Sequence, residues 1–200
     1  MTTERSTHTG SIGHDHSDGI GTLMTARLVL CPYACIDVPM FLELALDPQV
    51  THLVGDGIAW SRERATERFR TGRAAHRDGT GVWLKILDRE THAHLGVLTA
   101  HLGSGPGREV EVGVWITPPR WATGIAREAL RAVLPVLRRR FPHSAIVAEA
   151  RIDHVASDRL LRAVGFQDHG RRTGRYGNTA RYYTWRGPVE PSRTPDDLPG

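Results

Sequence analysis

The sequence predicts one α/β domain built on a mixed, mostly antiparallel sheet flanked by helices. Three observations carry this reading. The chain has 200 residues, enough for a single buried core. Three strand-like runs, 82–87, 95–101 and 110–116, follow one another with short turn-rich links, which implies an antiparallel meander. Two amphipathic helical stretches, 125–138 and 155–164, then alternate with further strands, the layout of a sheet packed against helices. An apolar fraction of 40% and a charged fraction of 24% exclude collagen, coiled coil and wholesale disorder. No run reaches the ~18 apolar residues of a membrane span. The expectation is a soluble protein with no membrane partner.

Taken in order, residues 1–22 lack apolar periodicity and carry no apolar block of the secretion-signal kind, so they read as a disordered tail and place the protein in the cytoplasm. The folded domain is expected over 23–186, and residues 187–200, with four prolines, form a second tail. The run R-L-V-L within 26–30 is a strand that Pro32 ends. Asp37 is placed as N-cap of a short helix carrying Phe41, Leu42, Leu44 and Ala45, stopped before Pro48. Ser61 opens a charge-rich, solvent-facing helix with Ala65 and Phe69 on its inner side, ending near Gly79. After the meander, Pro118 and Pro119 stop the chain. A helix follows with Ile125, Ala129, Leu130, Val133, Leu134 and Leu137 on one stripe and Pro135 expected to kink it. A strand at 145–150, a helix closed by Gly165 in the left-handed conformation, and two strands near 167–172 and 180–185 complete the chain.

Charge and cysteine narrow the classes. The formal net charge is +4, and Lys85 is the only lysine, so the positive charge is nearly all arginine, which suits bidentate phosphate contacts. The acidic residues are interspersed and the basic runs short, which argues against a nucleic-acid partner. Cys31 and Cys35 lack further ligands at zinc spacing, so no metal is expected there. His14, Asp15 and His16 lie in the expected tail and are read as bystanders.

Two segments carry chemistry. Strand side chains alternate, so Glu109, Glu111, Gly113 and Trp115 share one face of the third meander strand while Val110, Val112, Val114 and Ile116 share the other. A face of carboxylates, glycine and indole opposite an apolar face points to a cleft. The second segment is R-W-A-T-G-I-A-R-E-A, in which a small-residue loop runs straight into a helix. Helix-start amides have no partners inside the helix and sit at its positive end, so phosphate oxygens can dock on residues 122–126 where Gly124 and Ala126 leave the backbone bare.

These segments, together with T-A-R-L-V-L at the start and H-V-A-S-D-R-L-L-R-A-V-G-F later on, resemble the GNAT acyl-CoA N-acyltransferase superfamily, and within it the ribosomal-protein-alanine N-acetyltransferase group. The likeness spans roughly 25–186 in the right order. It implies the GNAT-like fold, with a pyrophosphate-binding loop between the central strand and the following helix. It also implies acetyl-CoA as co-substrate and direct transfer to a primary amine in a ternary complex. Coenzyme contacts then fall on Trp121, Ala122, Thr123, Gly124, Ile125 and Ala126, and on the backbone of Val114, Trp115 and Ile116, while Arg127 either reaches a coenzyme phosphate or is an exposed helical arginine. The family's Asn-x-x-Ser is represented by His154 and Ser157, with Ser157 or water as proton donor to the departing thiolate; His154 either holds the pantetheine or caps a helix. Where many members carry a tyrosine acid, this chain has Leu161.

An attacking amine must lose its proton, which is easier for an α-amino group near pKa ~8 than for a lysine near ~10.4. Glu111 leads as base, with Glu109 and His101 behind it. A cross-strand ion pair is the competing role for Glu111. Trp60, Trp83 and Trp115 are candidate walls of the acceptor pocket or members of the core. The acceptor is a protein N-terminus or a small amine, and a cleft with Glu109 and Glu111 favours a cationic one. A non-catalytic acyl-CoA sensor and a basic nucleic-acid-binding protein are the rival readings. Oligomeric state is not legible.

Overall fold

The computed structural model describes residues 20–103, 108–174 and 177–187. The expected tail segment with His14, Asp15 and His16, most of the glycine-rich turn at 103–107 and nearly all of the second tail lie outside the described residues. In chain order the elements are β1 (Leu23–Met24), β2 (Leu28–Pro32), α1 (Val38–Ala45), α2 (Pro48–Thr51), α3 (Arg62–Arg77), β3 (Gly81–Asp88), β4 (His94–Leu102), β5 (Glu109–Ile116), α4 (Ile125–Arg140), β6 (Ala145–Arg151), α5 (Val155–Ala163), β7 (Phe166–Thr173) and β8 (Thr179–Trp185). The strands form one sheet in the order β1-β2-β3-β4-β5-β6-β8-β7. Among them only β5 and β6 pair in parallel, because the chain must return along α4 before the next strand can join; every other pair is antiparallel.

Strand alternation divides the interior into two cores. On one face α4 and α5 bury their apolar stripes against Leu84, Ile86, Leu98, Val112 and Ile146. The stripe of α4 is Ile125, Ala129, Leu130, Val133, Leu134 and Leu137, and the helix runs on as one element through exposed Pro135 to three arginines that complement its negative end. On the other face α1 and α3 cover Trp83 and Val97 with Phe41, Leu44 and Phe69. Ser61 caps α3 by accepting from the Arg64 amide (3.2 Å), and Gly72 lets the helix lie directly on the Trp83 indole, where a Cβ would fall 2.3 Å from the ring. No residue of β6, β7 or β8 joins this second core, so on that side the far half of the sheet has no apolar cover among the described residues.

Some expectations change. Ile20 lies within the expected tail but is buried in the first core, and β1 extends the sheet just after it. Pro32 is the last residue of β2 rather than the residue beyond it. The first helix does stop before Pro48, at Ala45, and Pro48 itself opens α2, where it loses no hydrogen bond; Asp47 caps that helix by accepting from the Gln49 amide (2.8 Å). Asp37 occupies the N-cap position of α1 without a capping bond. Its carboxylate instead takes the Ala34 amide (2.7 Å) and the Lys85 ammonium (2.6 Å), so the chain's one lysine is held in a largely buried ion pair.

Next to that pair, the Tyr33 hydroxyl and His94 Nε2 share a hydrogen bond (2.8 Å). Burial pushes the His94 pKa from 6.5 down to about 4. The unfolded chain therefore takes up this proton at higher pH than the folded one, so stability is complete above the unfolded value and declines as pH falls through the window down to about 4. The loss reaches at most about 3 kcal/mol. Urea unfolding across this window is expected to show it, and His94→Gln is expected to flatten the profile there.

Candidate active site

A fork in the sheet defines the site. The Thr117 amide donates to Leu95 O (2.9 Å) and the Gly103 amide to Glu109 O (2.8 Å), so the odd-numbered residues of β5 turn their peptide groups toward β4. The even-numbered ones then face β6. The β5–β6 ladder ends at Glu111↔Val147, yet β5 continues to Ile116 and β6 to Arg151. Val114 and Ile116 thus present N–H and C=O groups into the gap between diverging strands. Trp115, expected to offer its backbone there, pairs with Val97 instead. Its peptide groups point to β4, and only its side chain faces the cleft side. One edge acceptor is already used: Trp121 Nε1 donates to Ile116 O (2.7 Å).

The loop after β5 ends at the helix start as expected. Pro118–Arg120 form a single helical turn, Trp121 is extended, and Ala122 (φ 59°) and Gly124 (φ 83°) both adopt the left-handed conformation before Ile125 opens α4. Such alternation turns successive amides toward one concavity. The first helical bond is Glu128 N–H to Gly124 O (3.0 Å), which leaves the amides of Ile125, Ala126 and Arg127 without helical acceptors. Residues Trp121, Ala122, Thr123 and Gly124 are exposed, so none of the described residues occludes the turn. The loop is braced from behind by Arg27, whose guanidinium donates to Thr123 O (3.2 Å) and pairs with Glu128 (2.7 Å). Burial alone would raise the Glu128 pKa, but donors from Thr25 and from the Arg27 amide and side chain outweigh it and hold the carboxylate below its usual range.

On the other prong, α5 starts beside the end of β6. His154 sits at its N-cap position and makes no side-chain cap, which removes the capping alternative; burial lowers its pKa and favours the neutral ring. Ser157 is half-buried in the first turn. Asp158 accepts from the Tyr183 hydroxyl (2.7 Å) and pairs with Arg162 (2.9 Å).

The carboxylate face of β5 borders the uncovered half of the sheet. Glu111 lies opposite His101, and Arg68 contacts that histidine. Glu109 accepts a short hydrogen bond from the Tyr182 hydroxyl of β8. The Arg172 guanidinium stacks over the Tyr182 ring (3.6 Å to its centroid) and pairs with Glu149 (2.6 Å). Burial and the bond to Glu109 raise the Tyr182 pKa to about 12, so its phenol stays a donor at neutral pH. This face is therefore a mixed network rather than a bare acidic surface: Glu109 and Glu149 already have partners. Tyr182, Arg172, Glu149 and Arg27 carry no signal of this role in the sequence. Only the alternation of T-A-R-Y-Y-T-W could flag one of them, by placing Tyr182 and Thr184 on one side.

The tryptophans separate. Trp83 is fully buried under α3 and Trp60 nearly so, both core members. Trp115 is half-buried, with Trp60 edge-on to it (centroids 5.1 Å apart). Asn178 donates to Gly55 O (3.1 Å), which ties the loop before α3 to the β7–β8 turn.

Known proteins share this fold. Residues 27–167 match the family model for an acetyltransferase (GNAT) domain. The chain is 29% identical over 148 residues to N-acetyltransferase YoaA of Bacillus subtilis, itself uncharacterized, covering 74% of this chain and 84% of that protein. Among solved structures, an acetyltransferase from Agrobacterium tumefaciens superposes with a TM-score of 0.70 at 21% identity, covering 91% of this chain and 99% of its own. RimL, a ribosomal L7/L12 alpha-N-protein acetyltransferase solved with coenzyme A, gives 0.68 at 18% identity, covering 80% and 94%.

Proposed function

The chain belongs to the acetyltransferase (GNAT) domain family, and from that premise we propose that it moves an acetyl group from acetyl-CoA directly to a primary amine, a protein N-terminus or a small molecule. The observation that supports this best is the fork itself: an exposed, amide-lined turn at Gly124 next to a strand edge that lacks a partner among the described residues. The residues present suit the coenzyme. Its diphosphate fits the concave amides from Ala122 to Ala126, where the side chains are absent, small or, at Ile125, buried in the core, and its amide-bearing arm fits the peptide groups of Val114 and Ile116 as an added strand would.

Bound there, acetyl-CoA supplies an activated thioester. The Ile116 amide, aimed into the gap, stabilises negative charge gathering on the acyl oxygen. Ser157, half-buried at the start of α5, donates a proton to the leaving sulfur, and Glu111 takes the amine's proton, directly or through water. Neither Cys31 nor Cys35 lies in these segments, in keeping with direct transfer without an enzyme-bound acyl group. RimL supports an α-amine among the acceptors, since the neutral form of such an amine is the more accessible at physiological pH. Action in the cytoplasm belongs to the same reading.

The test is calorimetry with coenzyme A followed by thiol release from acetyl-CoA over a panel of small amines and N-terminal peptides. Turnover with any acceptor supports transfer. Tight coenzyme binding with no turnover across the panel points to a sensor, and loss of binding with a steep salt slope on nucleic acid to the other rival. Ser157→Ala is expected to lower kcat by about 100-fold with little change in the KM for acetyl-CoA.

A further inference from the structure

We propose that Tyr183 and Asp158 are a positioning pair: the buried phenol of β8 holds the first turn of α5 through the Asp158 carboxylate and so sets the direction in which Ser157 points. The inference rests on the reading of Ser157 as proton donor given above.

The helix has little apolar anchorage where its chemistry lies. It has nine residues, and Leu161 is the one buried among them. In the first turn Val155 and Ala156 are exposed, while Ser157 and Asp158 are half-buried. The turn out of β6 is closed by the His154 amide on Arg151 O (3.1 Å). That bond fixes where the helix begins; its rotation is set by what the inner face touches. Leu161 supplies one such contact, and Asp158, three residues before it on the same face, supplies the other.

The tie at Asp158 reaches into the core. Tyr183 is fully buried, and its hydroxyl donates to Asp158 Oδ1 (2.7 Å). This bond, with help from Arg162, holds the Asp158 carboxyl below its usual range, and burial together with the same bond keeps the phenol protonated. Arg162 also pairs with Asp168 of β7 (2.6 Å), which takes Arg181 of β8 (2.7 Å) and the Gly170 amide (2.7 Å). The pairs of Arg162 are half-exposed and contribute little. The phenol is the firm point, because a buried donor that loses its acceptor is left desolvated and unpaired. Ser157 and Asp158 are separated by about 100° around the helix axis, so pinning the carboxylate to β8 fixes the direction of the neighbouring hydroxyl as well.

A carboxylate in the first turn also favours the helix through its dipole, so the experiment separates aim from stability. It measures thiol release from acetyl-CoA by the full chain, with the acceptor of the amine and peptide panel that turns over fastest. Tyr183→Phe and Asp158→Ala are expected to lower kcat about tenfold with the KM for acetyl-CoA unchanged. Asp158→Asn, which keeps an oxygen for the phenol but loses the charge, should retain most of the activity. On a Ser157→Ala background neither Tyr183→Phe nor Asp158→Ala should lower kcat further, since a group that acts through Ser157 has nothing left to aim. Losses as large on that background as in the wild type, or unchanged kcat with only a lower Tm, overturn the positioning pair and leave acetyl transfer standing. So does an asparagine variant as impaired as the alanine one, which would put the effect in the charge. Ser157→Ala with wild-type kcat overturns the proton-donor reading itself, and no turnover by the wild type across the panel overturns transfer.

Discussion

Gly124→Val is expected to weaken coenzyme A binding by about 100-fold or more, measured by calorimetry, while the protein still folds. Two effects combine. Gly124 has φ 83°, a conformation in which a side chain costs roughly 1–2 kcal/mol. A Cβ there would lie 3.5 Å from the Arg27 guanidinium, so alanine is sterically admissible, whereas valine's branches press on the brace and overhang the helix-start amides. The strain alone is expected to lower Tm by about 2–8 °C in a chain of this size. Gly124→Ala should show most of that stability loss and less of the binding loss. Retention of full affinity by the valine variant would mean that the phosphate grip lies elsewhere.

A large stability effect is expected at Gly96. It sits in β4 opposite Ile116, and a Cβ would fall 2.1 Å from the Trp115 carbonyl oxygen and 3.1 Å from the Ile116 Cα. Backbone atoms cannot swing aside as a flexible side chain can. Gly96→Ala must therefore push β4 and β5 apart at the end that carries the open edge. Overpacking of this kind costs about 3 kcal/mol, which corresponds to a Tm fall of roughly 6–12 °C. Because Ile116 moves with the strand, turnover should drop further than the folded fraction does. A loss of activity that merely tracks unfolding would show that the amide of Ile116 is not part of the chemistry.

How far the sequence discloses this arrangement depends on the range of each interaction. The alternation in E-V-E-V-G-V-W-I and the stripe along α4 are local and periodic, so their faces follow from residue order alone. The loop around Gly124 is equally legible, because glycine just ahead of a helical stripe is a local signal. The end of the β5–β6 ladder is not, since nothing in either strand's own pattern records where its neighbour departs. The Arg27–Glu128 brace joins residues 101 positions apart, and the Tyr182–Glu109 bond spans 73. Both depend on which strands become neighbours. Asp37 shows the reverse error: a plausible local capping role gives way to a partner on β3, where the only lysine needs a counter-charge.

The fork has a mechanical side as well. Eight strands lie in one continuous order, but the two halves are stitched across β5 and β6 by only three residue pairs. Beyond that short seam the two halves are joined by the core that α4 and α5 bury against them. Anything lodged between the free prongs acts as a splint, so occupancy should stiffen the whole scaffold as well as fill a site.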